Sequence, residues 1–186
     1  PLLLLISLIL CLTIFYFSKP RARLVADIPL GASYKIIFPC GDNEYRIANK
    51  LSKKAFGKEN SISKEKISDW KSKNPFLLSI LVDNKHKLRG YFDLIPLDES
   101  FYNSFKSGLK TEKDISSKVI LANNVPPKYI YIGGITTIDG NPIVGSVLIT
   151  ALILKIKYLY YSDIIVAATA ATDDGEHYLN CSEFCF

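Results

Sequence analysis

The chain has 186 residues with a formal net charge of +5, 48% hydrophobic and 22% charged residues, which is room for one domain with a true core and one short appendage, not for two domains. Near-average composition excludes a disordered or fibrous body. Lysines alternate with acids, as in Ser63-Lys-Glu-Lys-Ile-Ser-Asp-Trp70, and no helix-turn-helix, zinc-finger or RNA-recognition pattern is present, so no nucleic-acid partner is expected.

The first element is Leu2 to Phe17, apolar and without charge, followed at once by Lys19, Arg21 and Arg23. The run is near the shortest that spans a hydrocarbon core. No positive segment precedes it and the basic cluster follows it, which favours a retained anchor over the competing reading, a cleaved secretory signal. The positive-inside tendency then places the body in the cytoplasm, with Tyr16 and Phe17 at the interface. The expected organisation is a single-pass transmembrane anchor over 1–18, a juxtamembrane linker over 19–32, and one domain over 33–186.

Tyr34 to Pro39 reads as a first strand. Asp42 is placed to cap a helix whose apolar positions Ile47, Ala48, Leu51 and Ala55 keep the 3.6-residue period up to Gly57. A second helix starts at Ser63, with Ile62 and Ile67 spaced as a hydrophobic staple, and ends at Asn74-Pro75. Phe76 to Val82 and Lys87 to Leu97 are β-rich runs joined by a four-residue turn, an antiparallel hairpin. Asp98 caps a short helix through Phe101, Tyr102 and Phe105, closed by Gly108. Between Leu109 and Pro127 only Val119 to Leu121 has strand character. Lys128 to Ile138 is a strand with a glycine pair inside it, the mark of a bulge or a close backbone approach. After a turn at Asp139 to Pro142, Val144 to Tyr160 is a long apolar helix. Lys155 and Lys157 interrupt it and strands flank it, so a buried helix is expected rather than a second span. Asp163 to Thr172 is a last core strand, and Asp173 caps a terminal helix.

The four cysteines, Cys11, Cys40, Cys181 and Cys185, are too few for a disulfide scaffold. His177, Cys181 and Cys185 have the four-residue spacing of a zinc face, but two buried thiols beside a surface imidazole are the stronger reading, and no metal is assigned.

This order of elements, with Ile143 to Ile153 as a glycine-containing turn and following helix, Tyr129 to Thr137 as a bulged strand, and Ala170 to Phe184 as a final strand and helix, resembles the GNAT superfamily of N-acetyltransferases. The resemblance implies an α/β fold with a central mixed, mostly antiparallel sheet flanked by helices, here preceded by one transmembrane helix. It also implies acetyl-CoA or another acyl-CoA as co-substrate and an amine, of a small molecule or a protein, as acceptor. A helix start carries unpaired amides and partial positive charge that suit a pyrophosphate. Asn141, Ile143, Val144, Gly145 and Ser146 occupy that turn, and Ile135 and Thr137 the backbone beside the acyl arm. Asp93, Glu176, His177 and Tyr178 are the candidates for proton transfer. The turn retains only Gly145 of the family pattern and the chain lacks the two strands that usually follow. A non-catalytic sensing or interaction module is therefore the alternative function, and a homodimer would be one source of those strands.

Overall fold

The computed structural model describes residues 28–30, 33–58, 61–160 and 164–168. Six strands form one sheet in sequence order: β1 (Ile28–Leu30), β2 (Tyr34–Ile37), β3 (Leu78–Asp83), β4 (Leu88–Leu97), β5 (Tyr129–Thr137) and β6 (Ile165–Ala168). Neighbours are antiparallel except β5 and β6, which run parallel from the pair Tyr129 and Ile165 to the pair Ile132 and Ala168. The expected class, a mixed and mostly antiparallel α/β sheet with helices, is what the chain forms. The helices are α1 (Asp42–Phe56), α2 (Lys64–Lys73), α3 (Glu99–Lys106) and α4 (Pro142–Leu159). Both the 1–18 segment and the expected terminal helix lie outside the described residues.

Most boundaries follow their local signals. Ser63 accepts from the Lys66 amide at 3.2 Å and Asp98 from the Phe101 amide at 2.7 Å, each a side-chain N-cap. Asp83 closes the β3–β4 hairpin by accepting from the Lys85 and Lys87 amides, both at 2.9 Å. Val119 to Leu121 contributes a single bridge, Ile120 opposite Leu97.

Two expectations need correction. Asp42 does not cap α1: the cap position is Gly41, with no side-chain bond, and the Asp42 carboxylate instead pairs with Lys71 of α2 at 2.5 Å. The sheet also begins at Ile28, inside the stretch read as linker. Leu30 and Ile28 pair with Tyr34 and Ile36, and three residues are too few for their alternation to be read.

The sheet is covered on both faces. Ile36, Phe38, Leu81, Phe92, Leu94 and Ile130 pack on Val144, Leu148, Ala151, Leu152 and Ile156 of α4. On the other face Leu78, Ile80, Val82 and Tyr91 pack on Ala48 of α1, while Ile95, Leu97 and Tyr131 pack on Trp70 of α2 and Phe101 of α3. Burial of each large aliphatic side chain contributes about 1.5–3 kcal/mol. Among the described residues α4 is the helix long and apolar enough to cross a membrane by length and composition, yet this stripe of buried residues makes it a central core element.

Candidate active site at the bulged strand

The ladder between β4 and β5 loses register once. Asp93 stands opposite Gly134 and Leu94 opposite Ile132, leaving Gly133 as the extra residue of a bulge. Side chains from β4 lie over both glycines, tightly at Gly133 and at ordinary contact distance at Gly134. A Cβ on Gly133 would lie 2.8 Å from Ile95 Cδ1 and 3.6 Å from Asp93 Cβ; one on Gly134 would lie 3.4 Å from the Tyr91 hydroxyl and 3.8 Å from Asp93 Oδ2. Tyr91 and Asp93 therefore stand over the bulge, on the face shared with α1, α2 and α3, because strand residues two apart share a face.

Asp93 is half-buried and its carboxylate accepts no hydrogen bond among the described residues. Burial pushes its pKa up to about 7; the positive charge of Lys155 opposes the rise and the negative charge of Glu112 adds to it. The groups around it are acidic or phenolic. Burial, then the Asp93 charge, pushes the phenols of Tyr45 and Tyr91 above their ordinary range, so both remain protonated at neutral pH. Glu112 is raised by burial, in part offset by the Tyr131 hydroxyl, which donates to its Oε2 at 3.2 Å, and by Lys66. The Tyr45 hydroxyl accepts from the amide of Leu78 at 3.4 Å, and Leu78 is the cross-strand partner of Asp93 on β3. A carboxylate titrating near neutrality, partly open to solvent, is matched to taking a proton at physiological pH.

The start of α4 lies where β5 ends. Gly140 has φ +65°, as the tight turn requires, and Asn141 is the N-cap. Its Oδ1 accepts from the amides of Ile143 at 2.9 Å and Val144 at 3.4 Å, and its carbonyl accepts from the Gly145 amide at 2.9 Å. The Ser146 hydroxyl donates to the Pro142 carbonyl at 3.1 Å. These groups, which the resemblance led one to expect facing a pyrophosphate, are thus engaged within the helix. Val144 is a core residue at 1% exposure, whereas Ile143 is 70% exposed. No heavy atom lies within 4 Å of where a Gly145 Cβ would be, so packing does not explain that glycine. Ile135 packs with the α4 cluster, and Thr137, opposite Gly90, is half-buried.

Of the sequence-nominated residues, β4 and β5 bring Asp93, Ile135 and Thr137 onto adjacent strands, and the β5–α4 turn carries Asn141 to Ser146. Glu176, His177 and Tyr178 lie outside the described residues, as do Cys181 and Cys185. Among the described residues no group of three or more His, Cys, Asp or Glu side chains is arranged to hold a metal.

Lys155 was legible only as an interruption of an apolar run. It is fully buried, and its ammonium donates to the carbonyls of Phe76 at 2.5 Å and Leu77 at 3.2 Å and to the Ser79 hydroxyl at 2.6 Å. It also lies 4.9 Å from the Phe38 ring centroid and 5.5 Å from that of Phe92. Burial pushes its pKa down to about 7, against the opposing charges of Cys40 and Asp93. The available signal was its spacing: position 155 continues the buried series 148, 151, 152 at helical period. Comparison with protein-family models, with curated proteins and with solved structures finds no match to this chain.

Proposed function

We propose that this chain is a membrane-anchored N-acyltransferase that moves an acyl group, acetyl in the simplest case, from acyl-CoA to an amine, with Asp93 as the base. The observation that carries the reading is the position of Asp93, a carboxylate with a pKa near 7 and no hydrogen-bond donor, over the bulge of β5. The element order, the bulged β5 and the parallel β5–α4–β6 crossover support the GNAT-like resemblance. An amine is protonated in water and must lose a proton before it can attack a carbonyl. Asp93 takes that proton; the new C–N bond forms as the C–S bond breaks, and the departing thiolate requires a proton in turn. Tyr178 and Glu176 remain the resemblance's nominees for that second transfer, and Tyr91 is a protonated phenol already beside Asp93.

Acyl-CoA supplies the thioester. For its pyrophosphate, Gly145 and the exposed Ser146 leave an open approach to the helix start, and the amides of Ile143 and Val144 face it once the Asn141 side chain turns away. Backbone groups of Ile135 and Thr137 flank the acyl arm. That helix start, already capped by its own residue, also favours the second reading, a non-catalytic module of the same fold. Turnover separates the two. With a small primary amine and acetyl-CoA, thiol release should rise with pH through about 7, because the base works deprotonated. Asp93→Asn should lower it about 100-fold or more and remove that limb. No thiol release by the wild type over a range of amines would leave the non-catalytic reading.

A further inference from the structure

The Leu77 carbonyl accepts twice. Lys155 Nζ donates to it at 3.2 Å and the Leu94 amide at 3.0 Å. Leu94 follows Asp93 directly, at the step where β4 and β5 lose register, and Leu78, next after Leu77, is the cross-strand partner of Asp93. The ammonium also holds the Phe76 carbonyl and the Ser79 hydroxyl, on either side of the same step of β3. A fully buried cation from α4 therefore grips the strand segment to which the Asp93–Leu94 peptide is bonded.

We infer that Lys155, on the face of the sheet opposite Asp93, is a positioning residue for that carboxylate: through the Leu77 carbonyl it fixes the strand step that carries Asp93, so that the charge states of the two side chains are linked across the sheet. Two observations set this apart from ordinary core satisfaction. Three donors meet three acceptors, so the head group cannot swing to another partner without leaving a carbonyl unbonded in the core. The titratable groups around Asp93 and Lys155 come from the β2–α1 loop, α1, β4 and the 3₁₀ turn Glu112–Asp114. Glu112 acts on Asp93 and Cys40 on Lys155, the Asp93 charge in turn acts on the phenols of Tyr45 and Tyr91, and Lys155 is the basic group acting on Asp93. The Cys40 thiol, pushed up to about 12 mainly by burial, is the other group that acts on the ammonium.

The tie stands apart from acyl transfer; only its consequence for turnover rests on the function proposed above. The test uses the full chain in phospholipid nanodiscs, with ¹³C-carboxyl aspartate and ¹⁵Nζ lysine labels followed by NMR across pH 5–10. Lys155→Met should raise the Asp93 midpoint by about half a pH unit or more, a roughly threefold gain in proton affinity. Ser79→Ala, which removes one bond and keeps the charge, should leave it unmoved. Linkage is reciprocal, so Asp93→Asn should lower the Lys155 midpoint by the same amount. This last variant decides the matter if Lys155→Met does not fold. A Lys155 midpoint unchanged in Asp93→Asn, or an Asp93 midpoint moved as far by Ser79→Ala as by Lys155→Met, overturns the inference. Coupling without thiol release would instead sink only the acyl-transfer reading.

Discussion

Gly145 and Asp93 show how single residues depart from what stability alone would select. Gly145 lies in the first turn of α4 with open space where its Cβ would be, and glycine in a helix costs up to about 1 kcal/mol relative to alanine. Gly145→Ala should therefore stabilise the protein by about 0.5 kcal/mol or more in urea unfolding, while weakening acyl-CoA binding if the coenzyme comes close to that backbone. A gain in stability with unchanged binding would remove Gly145 from the site. Asp93 carries the opposite kind of cost. Its pKa is raised from 3.8 to about 7, so its contribution to stability is fully present below about pH 4 and is lost as pH rises through about 7. Lys155, lowered from 10.5 to about 7, contributes stability that is present above about pH 10.5 and lost as pH falls through about 7. Asp93→Asn should flatten the loss of stability between pH 4 and 7. Equal slopes for variant and wild type in denaturation midpoints over that window would show that the carboxylate is not held as described.

At the scale of elements, α4 joins both proposed halves of the site. Its N-terminus follows the bulged strand, and Lys155, three turns on, reaches back to the entry of β3. Asn141 is the element's own anion substitute, since its carboxamide oxygen occupies the position a phosphate oxygen would take on the Ile143 and Val144 amides. Asn141→Ala should cost about 1 kcal/mol of stability through the lost cap. If acyl-CoA uses the same amides, the variant should bind it as well as or better than the wild type, because no side chain has to be displaced. Calorimetry that shows a tenfold weaker complex would mean Asn141 contacts the ligand rather than standing in for it.

For the whole molecule, the sheet with α4 on one face and α1, α2 and α3 on the other encloses a core that accounts for the body. The run from Leu2 to Phe17 carries no charge. It is proposed to stay attached and hold the body at the cytoplasmic face, with Lys19, Arg21 and Arg23 at the membrane edge. Alkaline carbonate should leave the full-length chain in the membrane pellet, and protease added from the extracytoplasmic side should spare the body. Release into the supernatant would exclude an anchor, and digestion from outside would reverse the orientation.

Periodicity and capping chemistry are local, and they were readable from residues alone. Ser63, Asp98 and Asp83 bond to amides two to four positions away, and the glycine pair in β5 marked its bulge, where a Cβ on Gly133 would meet Ile95. What only the tertiary structure decided depends on groups distant in sequence. Asp42 faces Lys71 rather than its own helix amides; β1 exists because β2 offers it an edge; and the charges acting on Asp93 come from Lys155 and Glu112, in two separate elements. Lys155 looked like a break in an apolar helix because a sequence does not state that two carbonyls, a hydroxyl and two aromatic faces from other segments will converge on one ammonium. Burial and Coulomb interactions act through space, so the charge state of this site is a property of the packed sheet and not of any segment within it.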